Sequence, residues 1–198
     1  MSSLSSVSNR ILQAGFVLFA RHGFARTSMS DIAREAGIAR ATLYLHFPDK
    51  AAVFEAVANS LVEAALAAAG AAWRAEAGLA QNIEAIILAK DLSFFQLIRA
   101  TPHGAELLAV DAELTRRHVE RLDSRFRAML ERRARDMKRQ GLSLKPFGGA
   151  AGFGSFLITA SAGLKHEAQT EDDYRRAVRQ LARVVSAALE AGATGEPA

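Results

Sequence analysis

Apolar residues recur at helical spacing through most of the 198-residue chain and almost nowhere alternate with polar ones in the period-2 manner of strands. Ile11, Ala14, Gly15, Leu18 and Phe19 fall at i, i+3, i+4, i+7 and i+8, which predicts a first amphipathic helix that Ser8 can cap and Gly23 ends. Phe24 is then expected to drop into a small core with Ile32, Leu43 and Phe47. The stretch SMSDIAREAGIARATLYLHF, Ser28 to Phe47, holds two short helical patterns broken once, at Gly37. Ser28 and Asp31 have the spacing of a capping box, and Ile32, Ala33 and Ala36 share one face. Gly37 is the residue type that tolerates the left-handed conformation of a sharp helix stop. A second helix starting near Ala39 puts Leu43 and Phe47 inward and leaves Arg40, Thr42, Tyr44 and His46 facing out. This is the sequence form of a helix-turn-helix.

The pattern continues. Pro48-Asp49-Lys50 opens a helix capped by Asp49, with Val53, Phe54, Val57, Leu61, Val62 and Leu66 at helical spacing and an end expected at Gly70 or Gly78. Ile83, Ile86, Ile87 and Phe94 mark the next helix, and Pro102-His103-Gly104 a break. A long helix over Leu114–Gln140 is predicted to bury Val119, Leu122, Phe126, Met129 and Leu130, with Gly141 as its stop. Pro146 to Leu164 are nineteen residues without a charge, long enough to span a bilayer. Their glycines, alanines and serines dilute the hydrophobicity, so a buried helix is the reading, with Gly148 and Gly152 one turn apart allowing another helix close. A last helix starts at Thr170, with Asp173 completing a second capping box and Tyr174, Val178, Leu181, Val185 and Leu189 as its stripe.

Composition sharpens this into an all-α expectation: half of the residues are apolar and there are four prolines. The absence of cysteine excludes disulfides, thiolate metal sites and cysteine redox sensing together. No basic patch leads into an apolar run at the start, so a cytoplasmic protein is expected. Net charge is +4; residues 1–50 carry six Lys/Arg against three Asp/Glu, and residues 101–140 ten against seven. A basic first segment suits phosphate contact. The second reads as a solvated helix face laced with pairs such as Glu113–Arg117 and Glu131–Arg135.

Enzyme chemistry finds little footing. The carboxylates are scattered over helix faces, and His22, His46, His103, His118 and His166 make neither an i, i+4 pair nor an HExxH motif, so no metal is called. Gly149 to Gly154 reads G-x-x-G-x-G, does not follow a strand, and is not the dinucleotide fingerprint; no cofactor is called.

AGIARATLYLHF, preceded by Asp31-Ile32-Ala33 and followed by Lys50, resembles the DNA-binding segment of the TetR family of bacterial transcriptional regulators. The specific match covers about Ile11 to Leu61; the remainder is similar only in being helical and of about the right length. Ala39 stands where the family usually has serine, and Ala41 where it often has glycine. An alanine N-cap costs on the order of 1 kcal/mol against serine and removes a phosphate contact.

The resemblance implies an N-terminal three-helix DNA-binding domain over residues 1–50, its helix-turn-helix at about 28–47, and a larger C-terminal effector-binding and dimerisation domain over 51–198. It implies that Thr27 and Ser28 bind a phosphate at a helix N-terminus and that Tyr44, His46 and Lys50 contact the DNA backbone. Arg40 and Thr42 would then read base edges beside Ala41, with Leu45 on a thymine methyl. It further implies a homodimer through the last two helices (about 147–166 and 171–191) on a palindromic operator. The implied role is repression, released by a small molecule through movement of the helix that opens at Lys50. Phe94, Phe95, Phe126, Met129, Phe153 and Phe156 are the apolar candidates for that effector's pocket, with Gln96 and His118 as polar contacts; such a lining suits an apolar or aromatic ligand. Two rivals stay open: a helical ligand-binding or enzymatic protein whose helix-turn-helix no longer acts on DNA, and a DNA-binding regulator without an effector.

Overall fold

The computed structural model describes residues 2–100 and 112–194, with side chains from 6–92 and 116–192. Among the described residues there are helices and no strand: α1 (Ser2–Arg26), α2 (Met29–Glu35), α3 (Arg40–His46), α4 (Lys50–Ala72), α5 (Leu79–Ala100), α6 (Ala112–Arg139), a 3-10 turn (Lys145–Phe147), α7 (Ala150–Glu167) and α8 (Glu171–Thr194). The chain divides into two compact units, residues 1–64 with 96–119, and residues 65–95 with 120–198. The division falls inside α4.

In the first unit α1 is interrupted at Gly23, where φ is 80° and ψ 162°, as the glycine predicted. Its start differs. The helix runs back to Ser2, because nothing between Ser2 and Ser8 breaks it, and Ser8 lies inside rather than at a cap. Ile11, Leu18, Phe19, Ile32 and Leu43 form an apolar core with Val53, Phe54 and Val57 of α4. Phe24 joins this core at its edge, its ring 5.6 Å from Phe19 and 5.3 Å from Phe54. α1 and the two short helices alone bury too little surface to be stable, and α4 supplies the missing wall. Asp49 caps α4 as expected, accepting the Ala52 amide at 2.8 Å. By length and composition α4 could cross a bilayer, the one such helix among the described residues. Val53, Phe54, Val57 and Val62 on it are buried as core, and many of its remaining apolar positions are alanines.

In the second unit, Ile83, Ile86 and Ile87 of α5, Phe126 and Leu130 of α6, Phe153 and Leu157 of α7, and Tyr174, Val178 and Leu189 of α8 share one core. Asn82 ties down the turn before α5: its side-chain carbonyl accepts the Arg74 amide at 2.8 Å, and its amide donates to the carbonyls of Arg74 (2.9 Å) and Ala77 (3.1 Å). Val119 is exposed, against expectation. Gly141 (φ 94°) stops α6, with the Leu142 amide on the Met137 carbonyl at 3.1 Å. Glu131 and Arg135 pair at 3.8 Å as their spacing predicts, while Pro102-His103-Gly104 lie outside the described residues and Glu113 outside the described side chains.

The uncharged run from Pro146 is not one helix. Gly148 (φ 70°) and Gly149 (φ 97°) hold left-handed backbone between the 3-10 turn and α7, so Gly148 cannot pair with Gly152 on a helix face. A Cβ at Gly152 would overlap the Phe147 carbonyl of the preceding turn. The glycine that admits a neighbouring helix is Gly154, whose Cβ would sit 3.2 Å from Arg127 Cγ of α6. The second capping box is as predicted: the Thr170 hydroxyl accepts the Asp173 amide at 3.1 Å, and Asp173 accepts the Thr170 amide at 3.1 Å.

Among the described residues most carboxylates lie on helix surfaces, and one does not. Asp91 is 1% exposed. It accepts the Lys165 ammonium at 2.8 Å and the Tyr174 hydroxyl at 2.8 Å, and Lys90 lies 3.4 Å away. Lys90 is itself buried, 3.7 Å from Asp123 and over the Phe126 ring at 4.9 Å. Burial pushes the Asp91 carboxyl up, but the charges of Lys90 and Lys165 and the bonds from Lys165 and Tyr174 outweigh it and hold it below the usual carboxylate range. Burial and the Asp91 charge in turn drive the Tyr174 phenol far above its ordinary value.

Candidate nucleic-acid interface

The site is built on two seven-residue helices and the glycine between them. At the start of α2 the Ser28 hydroxyl accepts the Asp31 amide at 3.2 Å, and Asp31 accepts the Ser28 amide at 3.1 Å and hydroxyl at 2.6 Å. Those bonds, the hydroxyl's foremost, and Arg34 at 2.5 Å hold the Asp31 carboxyl below its ordinary value. At the other end Gly37 (φ 63°) closes a Schellman turn: its amide donates to the Arg34 carbonyl at 3.2 Å, and the Ile38 amide to Ala33 at 3.0 Å. A Cβ there would strain the left-handed backbone, so glycine fixes where α3 departs. Ala39 begins α3 with no side-chain cap.

One side of α3 is anchored by Leu43, which has no exposed surface. The other side presents Arg40, Ala41, Tyr44 and Leu45 to solvent, with Leu45 86% and Tyr44 43% exposed. The Arg40 guanidinium lies along Tyr44, Nη2 donating to the phenol oxygen at 3.2 Å with Cζ 5.5 Å from the ring centroid.

The remaining candidates are not all on this face. Thr42 is half-buried. His46, expected to face out, is half-buried with Nδ1 3.2 Å from the Ser8 hydroxyl, so it ties the end of α3 to α1. Thr27 is 3% exposed and its hydroxyl donates to the Gly23 carbonyl at 2.8 Å. Lys50 donates to the carbonyls of Phe24 at 2.7 Å and Ala25 at 3.4 Å, and lies 4.3 Å from the Phe24 ring centre. Thr27 and Lys50 satisfy backbone acceptors freed where Gly23 breaks α1. Periodicity cannot show such a use, because the acceptors come from a kink 4 to 26 residues away in sequence. Ser28 stays exposed at the first turn of α2, its hydroxyl shared with Asp31.

Of the effector-pocket candidates, the side chains of Phe94, Phe95 and Gln96 lie outside the described residues. Phe126 and Phe153 are 0% and 1% exposed and belong to the packing of the second core, which Met129 also touches from its edge. Phe156 is exposed beside Phe147, ring centres 5.3 Å apart. His118 is half-buried and groups with the first unit, whereas the phenylalanines from 126 onward group with the second. Among the described residues no group of His, Cys, Asp and Glu is placed to hold a metal.

An all-helical chain with a helix-turn-helix near its N-terminus is the class these observations define. Residues 11–57 match the model of the bacterial regulatory proteins of the TetR family. Over this segment the chain is similar to that family. Over 54 residues it is 41% identical to the HTH-type transcriptional regulator TtgR of Pseudomonas putida, covering 27% of this chain and 26% of that protein. It is 40% identical over 53 residues to the regulator YvdT of Bacillus subtilis, 27% of each. The chain thus matches about a quarter of the length of these curated relatives. The whole fold is similar to Salmonella enterica GusR (TM-score 0.64, 21% identity, 96% of this chain and 98% of that one). It is also similar to a transcriptional regulator from Rhodococcus sp. Rha1 (TM-score 0.67, 16% identity, 90% and 95%). At such identities the likeness concerns the fold.

Proposed function

We propose that the protein is a DNA-binding transcriptional regulator that acts as a homodimer on a palindromic operator. The observation that carries this reading is the outward face of α3, where an arginine, a tyrosine and an almost fully exposed leucine stand on a helix locked from behind by Leu43. Arg40 suits guanine O6 and N7, Thr42 a neighbouring base edge, and Leu45 a thymine methyl, which gives that apolar side chain a partner. Tyr44 and Ser28 act on phosphates beside Ala41, the small residue that lets the helix approach. Thr27, His46 and Lys50 serve the interface indirectly, by holding α1, α3 and α4 in one rigid unit.

Two-fold symmetry would set the recognition helices about 34–36 Å apart, one duplex turn. Pairing through α7 and α8 is supported by Phe156 and Val184, large apolar side chains exposed on those helices. We assign the protein a repressor's role, with release by a small apolar or aromatic molecule bound in the second unit and transmitted along α4, which is unbroken from Lys50 to Ala72. Selection of sites from a random duplex pool at near-physiological salt is expected to enrich a palindrome. No enrichment from folded, dimeric protein would overturn the DNA reading. Sedimentation at micromolar concentration tests the dimer, and a thermal-shift screen of apolar and aromatic compounds tests the effector.

A further inference from the structure

We infer that Tyr44 is a positioning residue for Arg40, so that a side chain facing the DNA backbone also sets base preference; this rests on the DNA-binding reading above. Arg40 opens α3, where Ala39 supplies no side-chain cap and no acidic residue occupies the first turn. An arginine there has many rotamers to lose on meeting a base. Tyr44 stands one turn on, at the i+4 position that faces it. The phenol oxygen accepts Nη2 at 3.2 Å while the guanidinium carbon lies 5.5 Å from the ring centre, so hydroxyl and ring both act on the same group.

The bond uses one of the guanidinium's five N–H donors, and the rest remain for a bidentate contact. It also leaves the phenol's own proton to donate onward. Arginine to tyrosine to phosphate is then a continuous donor chain, in which anchoring the backbone polarises and orients the base-reading group. Base preference and backbone contact become coupled: a duplex that places the phosphate wrongly loses the arginine's alignment as well.

Tyr44→Phe removes the acceptor and keeps the ring; Tyr44→Leu removes both. Tyr44 and Arg40 are exposed, so both variants are expected to fold, which circular dichroism checks. The selected duplex and its single-base variants are titrated with wild type, Tyr44→Phe, Tyr44→Leu, Arg40→Ala and the double variants. Tyr44→Phe is expected to lower discrimination at the base pair that Arg40→Ala identifies by roughly three- to tenfold, and Tyr44→Leu by more. In the Arg40→Ala background neither should change the preference further. Uniform weakening on every duplex with preference intact, or an equal effect with and without Arg40, would overturn the inference and leave Tyr44 a backbone contact alone. If the wild type enriches no sequence, the DNA reading falls and this inference with it.

Discussion

The first unit keeps most of its polar groups at the edges of an apolar core, whereas the second places a lysine, a carboxylate and a phenol inside one, with a second lysine reaching in from the surface. Thr27, Lys50 and His46 each meet a carbonyl or hydroxyl supplied by α1 and its kink. Asp91, by contrast, is surrounded by Lys90, Lys165 and Tyr174 from α5, α7 and α8. The two arrangements fail differently. Losing half-buried Lys50 or His46 returns the orphaned carbonyl or hydroxyl to water or to a neighbour, at modest cost. Removing the centre of the Asp91 cluster takes from Lys90, a buried ammonium, its nearest counter-charge, and that is far more expensive.

The largest expected effect is therefore Asp91→Ala, at roughly 3–5 kcal/mol of destabilisation. Urea unfolding followed by the fluorescence of Trp73, the single tryptophan, reports on the unit concerned. A loss below that of an ordinary surface substitution would show that the cluster reorganises freely and would dissolve the contrast. Its pH dependence has a definite sign. Asp91 titrates below its usual 3.8, so its contribution is complete above that value and is lost as pH falls through the lower folded value. Tyr174 titrates above its usual 10.0, so its contribution is complete below pH 10 and declines as pH rises beyond it. Urea midpoints from acid to alkaline pH should fall at both ends, and Asp91→Asn should flatten the acid limb.

In the first unit Leu43→Ala should cost about 2–5 kcal/mol, since the side chain has no exposure and backs the whole of α3. Hydrogen exchange of the α1 to α3 amides would show protection lost there. Lys50→Met, which keeps the stem and removes the ammonium, should cost about 1–2 kcal/mol through the Phe24 carbonyl. A cost equal to that of Asp91→Ala would erase the difference between the units. The smallest effect is a gain: Ala39→Ser should stabilise α3 by about 0.5–1 kcal/mol by capping a helix that has no side-chain cap. Thermal unfolding of matched samples checks it.

Much of this was legible from residue order because it is local. Capping boxes at Ser28 and Thr170, left-handed glycines at 37 and 141, and apolar stripes at helical spacing depend on residues within a turn or two of each other, so chain order alone determines them. The helix-turn-helix and the outward Arg40 and Tyr44 are of this kind. One signal was present and unused: Lys90 and Asp91 fall four residues after Ile86 and Ile87, on the stripe that the core absorbs. What only the tertiary structure decided is where polar side chains find partners. Lys50 reaches back 26 residues to Phe24, His46 38 residues to Ser8, and Tyr174 83 residues to Asp91. Helical phase tells which face a residue occupies. Whether that face meets water, a freed carbonyl or an opposite charge depends on which distant helix packs against it.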